Sequence, residues 1–264
     1  IATQEGIRRK GGMKLKVLVC VKQTFDTEAK IELKDGKISE AGINLIINPY
    51  DEVAVEGGIQ LKEKKIADEV VVVAAGSDKA MDAIRTALAM GADRGILVKQ
   101  DSAADEYARA VALAAVIKEE NPELVLAGHV AADDGSSQVP TRVAEILGFP
   151  HVNVITNLEL ADGKAVCTSE ADGGTQVTEI SLPAVVSSQV SWNEPRYPSM
   201  KGIMQAKKKP VSTVDAVAAE NKVAIVEVGL PPAKTAGIKL EEEPDVAAVK
   251  LADWMKNTVK VEVK

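Results

Sequence analysis

The chain alternates between short, almost continuous apolar runs and longer segments with apolar residues at helical spacing. Runs of the first kind are typical of strands that are buried on both faces of a parallel sheet. Strands that alternate with helices over short connections indicate βαβ units, so we expect an α/β fold with a doubly wound parallel sheet. The predicted strands are 16–21, 69–76, 95–99 and 123–128, and the predicted helices are 79–91, 105–120 and 137–148.

Two local signals fill the stretch between the first two of these strands. The segment "IELKDGKI" alternates around Asp35-Gly36, which is typical of a hairpin. In "NPYDEVAVEGGIQLKEKK", Pro49 predicts a turn and Asp51 predicts a helix N-cap. We expect the apolar face of this helix to be weakened by Gly57-Gly58.

The pattern changes after Pro150. Three or four short strands, separated by Asp-Gly or Gly-Gly turns, predict antiparallel hairpins laid onto the parallel sheet. A further strand is expected at 222–229, followed by a Pro- and acid-rich linker and a closing helix that contains Trp254.

These boundaries predict one domain over 13–229 and a C-terminal helical arm over 230–264. The arm carries apolar residues and a tryptophan, so we expect it to pack on a partner subunit; packing on its own domain is the alternative. Residues 1–12 have no apolar core and precede Met13, and we interpret them as an N-terminal extension or a cloning remnant.

Composition excludes several functional classes. A formal net charge of −7 argues against a general nucleic-acid binder, which needs many Lys and Arg contacts to phosphate. No apolar run approaches the roughly 18 residues that a membrane span requires. Cys20 and Cys167 belong to no CxxC pair, which favours two reduced thiols in a cytosol-like compartment. His129 and His151 lack metal-site spacing, and no catalytic triad can be proposed, so we expect no metal and no catalytic residue.

A ligand site is expected where strands end. Ligands of doubly wound sheets bind at the carboxyl ends of the strands, near a switch in strand order. Three loops leave predicted strands at that edge, after 16–21, after 69–76 and after 123–128. In the third loop, small residues at 135–138 precede a helix, and such a backbone can hold a phosphate. The alternative is that this loop only caps the helix.

Two features of this edge remain open on the residues alone. Asp133 and Asp134 would repel a phosphate if their carboxylates pointed inward. Cys20 ends a predicted buried strand, so it is either a core residue or a backbone contact to a nucleotide.

Five segments in this order resemble the β subunit family of electron transfer flavoproteins. They are "LKVLVCVK", "NPYDEVAVEGGIQLKEKK", "IRTALAMGADRGILV", "ADGGTQVTEISLPAVVSS" and "NEPRYPSMKGIMQAKKKP". The resemblance covers nearly all of 15–210. It implies a Rossmann-like, adenine-nucleotide-binding sheet in a non-catalytic electron carrier.

The resemblance also implies cofactors and partners. The family forms a heterodimer with a larger α subunit, which holds most of a shared FAD, and the commoner branch buries a structural AMP in the β subunit. Electrons come from acyl-CoA or related dehydrogenases, as in fatty acid oxidation, and pass to a quinone-linked oxidoreductase. By position, the implied AMP contacts are Cys20, Asn48, Pro49, Tyr50, Asp51, Ala75, Ala132, Asp133, Asp134, Gly135, Ser136, Ser137, Gln138, Val139, Pro140, Thr141, Arg142 and Val143.

The segment 193–210 is, by the same resemblance, a recognition loop that anchors partner dehydrogenases, with Met200 at its tip. A flexible, polarizable thioether suits several partner pockets, and lysines would attract acidic partner surfaces. Internal packing of Met200 is the alternative. The implied docking residues are Tyr197, Met200, Ile203, Met204, Lys207, Lys208 and Lys209.

Two other functions remain as alternatives. A second branch of the family binds a second FAD in place of AMP and bifurcates electrons from NADH. The entry "NPYDEVAVEGG" and the loop "DDGSSQVPT" are nearer the AMP branch, whereas Asp26-Thr27 resembles the bifurcating branch. A nucleotide hydrolase would need Asp133 or Asp134 beside the phosphate. The expected location is the bacterial cytoplasm, or the mitochondrial matrix in a eukaryote.

Overall fold

A computed structural model describes residues 15–260 except 233 and 235, so the extension interpreted at 1–12 lies outside the described residues. The main sheet has nine strands in the order β11-β10-β9-β12-β8-β1-β6-β7-β13. Two two-stranded sheets, β2-β5 and β3-β4, lie outside it. The strands are β1 Lys16–Cys20, β2 Gln23–Phe25, β3 Leu33–Lys34, β4 Lys37–Ile38, β5 Leu45–Ile47, β6 Glu69–Gly76, β7 Arg94–Lys99, β8 Leu124–Gly128, β9 His151–Ala161, β10 Lys164–Ala171, β11 Gly174–Ser181, β12 Ala184–Ser188 and β13 Val211–Asp215.

Six α-helices connect or follow these strands in the described part of the chain. They are α1 Pro49–Glu63, α2 Met81–Met90, α3 Glu106–Glu120, α4 Val139–Leu147, α5 Met200–Ala206 and α6 Pro244–Trp254. Short 3₁₀ turns lie at Asp78–Ala80 and Val190–Trp192. The predicted βαβ alternation and the α/β fold are confirmed.

The parallel sheet reverses its winding at β1. This strand pairs in parallel with β6 on one side and β8 on the other. The chain first builds outward through β6 and β7, and then crosses back to place β8 on the opposite side of β1. The connections on the two sides of β1 therefore diverge, and a crevice opens at the carboxyl ends of β1 and β8.

The core is divided between the two faces of this sheet. Val17 and Val19 of β1 pack into the cluster that includes α1 and α2, and Leu18 packs into the cluster that includes α3 and α4. All three side chains are fully buried, which is why β1 reads as a continuous apolar run. Gly58 permits the close approach of α1, because an added Cβ would lie 3.3 Å from Val19 Cγ2.

The region after Pro150 follows the expected hairpin pattern only in part. β9, β10 and β11 form an antiparallel meander. The β9–β10 turn uses positive φ at both Asp162 and Gly163, as a tight hairpin turn requires. β12 is different: it runs parallel to both β8 and β9 and joins the parallel part of the sheet.

The prediction of a strand at 222–229 is wrong. That segment carries no strand, and Ile225 and Val226 are 82% and 98% exposed. The strand that follows the recognition segment is β13, which pairs in parallel with the edge strand β7. The prediction rested on apolar content alone. A strand also needs a partner strand, and no strand of the described chain pairs with 222–229.

The chain divides into two compact units between Glu227 and Val228. Within the second unit, α6 begins after Glu243 and continues into a π-helical turn, Met255–Val259. No side chain of α6 is buried. Its exposed apolar residues are Val246, Val249, Leu251 and Trp254. Within the described ranges, no helix is long and apolar enough to cross a membrane.

Candidate functional site

A cleft opens at the predicted switch point, between the carboxyl ends of β1 and β8. About 740 Å³ of space that no protein atom fills lies within this cleft and its open mouth. Part of its wall is apolar, and this part is contributed by Ala75, Leu113, Val125, Val143 and Val185.

Asp51 joins the two strands at the base of the cleft. Its Oδ2 accepts the backbone N–H of Lys22 at 2.8 Å, and its Oδ1 accepts the backbone N–H of Gly128 at 2.9 Å. Gly128 is required here, because a Cβ would come within 2.5 Å of Asp51 Oδ1. Burial raises the pKa of Asp51 to about 7, although these hydrogen bonds act in the opposite direction.

The predicted N-cap role of Asp51 is therefore wrong. α1 begins one residue after Asn48, with Pro49 in its first turn, so Asp51 is already helical. Asn48 uses its side chain to hold the opposite loop instead: Nδ2 donates to Val130 O at 2.9 Å, and Oδ1 accepts from Ala132 N at 3.2 Å. The Asn48 side chain thus joins the start of α1 to the loop after β8.

The loop after β8 has the backbone conformation of an anion site. Gly135 and Ser137 adopt positive φ values of 63° and 54°. Conformations of this kind turn neighbouring N–H groups to a common side. α4 begins at Val139, and the first N–H groups of a helix have no intrahelical acceptor. Ser136, Ser137 and Gln138 line the cleft next to this helix start, where the helix dipole also favours an anion.

Lys22 forms ion pairs with both carboxylates that follow Ala132. Its Nζ lies 2.6 Å from Asp133 Oδ1 and 2.7 Å from Asp134 Oδ2. Burial opposes ionisation of Asp134, but the bonds from Lys22 and Ser136 outweigh it and lower the pKa. Both carboxylates thus share one ammonium, which offsets half of their charge and reduces the repulsion that the sequence suggested.

Cys20 lies in the same cleft but is not poised for chemistry. Burial, with a smaller effect of the Asp51 charge, raises the pKa of its thiol to about 12. The thiol is therefore protonated at neutral pH and has little nucleophilic character. Cys20 and Cys167 are both free. Nor do the described residues contain a group of His, Cys, Asp or Glu side chains that could hold a metal.

The segment 193–210 presents an exposed apolar surface, which we call the α5 patch. The patch consists of Tyr197, Met200, Ile203 and Met204, which are 95%, 77%, 43% and 69% exposed. α5 begins at Met200, and the side chain of Ser199 caps it by accepting the N–H of Gly202 at 3.0 Å. Met200 does not pack internally, so that alternative is excluded.

The base of the α5 patch is fixed to α1. Arg196 Nε lies 2.7 Å from Glu56 Oε2, and Arg196 Nη1 lies 2.6 Å from Glu63 Oε1. Asn193 Nδ2 donates to Val53 O at 3.0 Å. These bonds hold the segment rigidly while the α5 patch itself faces solvent.

The three lysines after α5 differ in role. Lys207 and Lys208 are exposed. Lys209 turns inward, and its Nζ donates to Leu88 O at 2.9 Å and to Ala92 O at 2.5 Å. It thereby satisfies carbonyls at the end of α2. The expectation that all three lysines contact partners needs this correction, since the ammonium of Lys209 is occupied within the chain.

Comparison with known proteins agrees with this architecture. The family described as "Electron transfer flavoprotein domain" matches residues 35–219. The electron transfer flavoprotein subunit beta of Syntrophomonas wolfei is 83% identical over 252 residues, which cover 96% of this chain and 100% of that protein. The chain belongs to the electron transfer flavoprotein family, with the β subunits.

More distant β subunits of electron transfer flavoproteins also match. That of Bacillus subtilis is 40% identical over 257 residues, covering 94% of this chain and 100% of that protein. That of Homo sapiens is 37% identical over 244 residues, covering 89% of this chain and 96% of that protein. The family resemblance stated from the sequence is confirmed.

The cleft brings together many of the residues that the electron transfer flavoprotein resemblance implied, but not all. Those that line it are Cys20, Asn48, Asp51, Ala75, Asp134, Ser136, Ser137, Gln138, Val139, Pro140 and Val143. Those outside its lining are Pro49, Tyr50, Ala132, Asp133, Gly135, Thr141 and Arg142.

Several of the residues outside the lining make contacts that hold the lining residues or their neighbours in place. The rings of Tyr50 and His129 meet edge to face, with centroids 4.8 Å apart. Arg142 Nη2 donates to Gln138 Oε1 at 2.6 Å and so steadies the loop. Thr141 Oγ1 accepts from Asn153 Nδ2 at 3.0 Å.

Sequence reasoning missed part of the lining. Lys22 immediately follows β1 at the carboxyl edge, so its position was a usable signal. Arg109 and Leu113 come from α3, and Val185 comes from β12, and no local motif marks them. They reach the cleft through tertiary packing.

Proposed function

We propose that this chain is the β subunit of a heterodimeric electron transfer flavoprotein that carries electrons from acyl-CoA-type dehydrogenases to a quinone-linked oxidoreductase. In this proposal it is not itself an enzyme. The α subunit holds most of the shared FAD, which supplies the redox chemistry. The observation that carries the proposal is the combination, within one family member, of a cleft at the carboxyl ends of β1 and β8 and an exposed α5 patch.

A structural AMP fits the chemistry of the cleft. Gly135 N already donates to Ala131 O and Ser136 N to Asp134 Oδ1, so Ser137, Gln138 and the start of α4 supply the N–H groups for one phosphate. The apolar wall that includes Ala75 and Val143 suits a purine ring. Lys22 offsets half of the carboxylate charge that would otherwise oppose the phosphate. AMP here would reinforce the joint between α1 and the loop after β8.

The α5 patch is the proposed contact with dehydrogenases. Met200 and Met204 are exposed on a segment whose base is bonded to α1. Long thioethers adapt to different apolar pockets, and Lys207 and Lys208 can attract acidic surfaces. The chain would thus dock through a fixed patch while the flavin-carrying part of the complex samples orientations.

The second unit is the proposed contact with the α subunit. Its helix α6 has four exposed apolar side chains and no buried one, so it offers a face that another chain can cover.

The proposal is tested by the nucleotides of the purified heterodimer. The chain is coexpressed with its α subunit, the complex is denatured, and released nucleotides are quantified by chromatography. We expect one FAD and one AMP per heterodimer. Two FAD and no AMP would replace the simple carrier by the bifurcating alternative, which oxidises NADH. Absence of any nucleotide beyond the shared FAD would refute the assignment of the cleft.

A further inference from the structure

Arg109 occupies an unusual position among the arginines of the described chain. It lies on α3, in the second helical turn, and lines the cleft together with Leu113 one turn further on. Leu113 is buried, so this face of α3 places an apolar side chain and a guanidinium on one wall of the cleft.

The other arginines in the described ranges are tightly bound within the protein. Arg94 pairs with Glu69 and Glu120, and Arg196 pairs with Glu56 and Glu63. Arg85 Nη1 donates to Ala206 O at 2.6 Å, and Arg142 Nη2 donates to Gln138 Oε1 at 2.6 Å.

Arg109 makes a much weaker contact. Its Nη2 reaches Ser102 O at 3.5 Å, at the outer limit of a hydrogen bond. Across 15–260 as described, no carboxylate forms an ion pair with it. An arginine stays charged at any physiological pH, so most of its five N–H donors remain available to a ligand.

The uncommitted guanidinium of Arg109 points to an anion as that ligand. Lys22, the other cation in the lining, is already shared by Asp133 and Asp134. Arg109 is thus the cation of the described lining that no protein carboxylate neutralises. A planar guanidinium binds phosphate in two-pronged geometry, with bonds about twice as strong as neutral ones.

We infer that Arg109 is a phosphate-binding and specificity-determining residue of the nucleotide cleft. It contacts the phosphate from the α3 side, while the backbone N–H groups of Ser137, Gln138 and the first turn of α4 hold it from the α4 side. The cleft therefore selects a phosphorylated adenine nucleotide over the nucleoside through a side chain as well as through the loop. This inference rests on the proposed function, because it takes AMP as the ligand.

The test compares AMP with adenosine. The heterodimer is stripped of the nucleotide in the β cleft, and the dissociation constants of both compounds are measured by calorimetry for wild type, Arg109→Met and Arg109→Lys. The matched control is Lys118→Met, which removes an exposed cation from the same helix. Thermal melting establishes that each variant is folded.

We expect Arg109→Met to weaken AMP binding by about tenfold to a hundredfold, as the loss of a charge-assisted hydrogen bond implies. Adenosine affinity should stay within about twofold, because the deleted group contacts only phosphate. Arg109→Lys should recover part of the AMP affinity, and Lys118→Met should leave both compounds unaffected. The salt dependence of AMP binding should also be shallower in Arg109→Met.

Two results would overturn the inference while leaving the proposed function intact. In the first, Arg109→Met binds AMP as tightly as wild type. In the second, it loses AMP and adenosine equally, which would make Arg109 a structural residue of the wall. If wild type itself binds no AMP, the nucleotide assignment fails and this inference fails with it.

Discussion

The indole ring of Trp192 lies directly over Gly57, so close that a Cβ on Gly57 would come within 2.1 Å of the ring carbon Cη2. This contact fastens the 3₁₀ turn before the α5 patch to α1. A helical Gly→Ala change normally stabilises by about 1 kcal/mol, but overpacking costs about 1–3 kcal/mol, so here the clash dominates.

We therefore expect Gly57→Ala to lower the free energy of unfolding by about 1–2 kcal/mol and to shift Trp192 fluorescence. Urea denaturation and emission spectra of the heterodimer measure both effects. Gly174→Ala is the control, because an added Cβ there meets open space. Equal stability of the two variants would show that the Trp192 contact is not tight.

The α5 patch yields a prediction about electron acceptance. Met200→Ala should slow flavin reduction by a dehydrogenase at limiting dehydrogenase concentration by about tenfold, the loss expected for an apolar interface anchor. Bound FAD and AMP should be unchanged, because Met200 is 77% exposed and contributes little to the fold. Stopped-flow absorbance and nucleotide analysis measure these quantities.

Val177→Ala is the control for Met200, since Val177 is a similarly exposed apolar side chain on β11. It should leave the electron transfer rate unchanged. Loss of nucleotide in Met200→Ala would instead assign the methionine a structural role.

Lys207 and Lys209 offer a matched pair two residues apart. Lys209→Met removes the donor for Leu88 O and Ala92 O, which should destabilise the chain by about 1–3 kcal/mol. Lys207→Met should leave stability unchanged because Lys207 is exposed.

The same pair separates stability from docking. Lys207→Met should slow association with an acidic dehydrogenase surface, and more so at low salt. Melting temperatures and rates across ionic strength distinguish the two variants. Identical melting curves would contradict the structural role of Lys209.

How far the sequence predicts this fold is clear from β1 and β13. β1 is buried on both faces, and its apolar run identified it at once. β13, "VSTVD", alternates weakly at a sheet edge and is not among the predicted strands, whereas the more apolar segment 222–229 is predicted as a strand and forms none. Hydrophobicity indicates that a segment is to be buried, but it does not identify the strand or the chain that buries it.

Some residues of the candidate site could likewise be predicted from the sequence, and others could not. Residues of the loop after β8 could be predicted because one local stretch carries them. Arg109 could not, because it reaches the cleft only when α3 packs beside α4. The pairing of Lys22 with Asp133 and Asp134 joins residues more than a hundred positions apart, and no local pattern specifies it.

Asp51 makes stability depend on pH near neutrality. Burial raises its folded-state pKa to about 7 from an ordinary value of 3.8. Between about pH 4 and 7, the folded state holds a proton that the unfolded chain has released, so stability falls as pH rises through this window.

Asp51→Asn should flatten that part of the profile, because the asparagine side chain does not titrate. Urea midpoints at pH 5 and pH 7.5 for both proteins provide the measurement, and the difference between the two profiles isolates Asp51 from other titrating groups. We expect the wild-type decrease to exceed that of the variant by about 1–3 kcal/mol. Parallel profiles would show that Asp51 is ionised throughout this range.

Lys22 provides the last prediction, on the electrostatics of the phosphate loop. Lys22→Met leaves Asp133 and Asp134 without their shared ammonium, so the net charge of this group beside the phosphate changes from −1 to −2. We expect AMP affinity to fall about tenfold, or 1.4 kcal/mol, as measured by calorimetry on the stripped heterodimer. The backbone N–H of Lys22 still donates to Asp51, so the base of the cleft is preserved.

A triple variant distinguishes charge from a loss of local structure. Adding Asp133→Asn and Asp134→Asn to Lys22→Met removes the repulsion without restoring the ammonium, and AMP affinity should return to near the wild-type value. If the triple variant binds as weakly as Lys22→Met, then Lys22 acts by holding the loop in place rather than by neutralising it. Recovery would show that the two carboxylates are tolerated beside a phosphate because Lys22 offsets part of their charge.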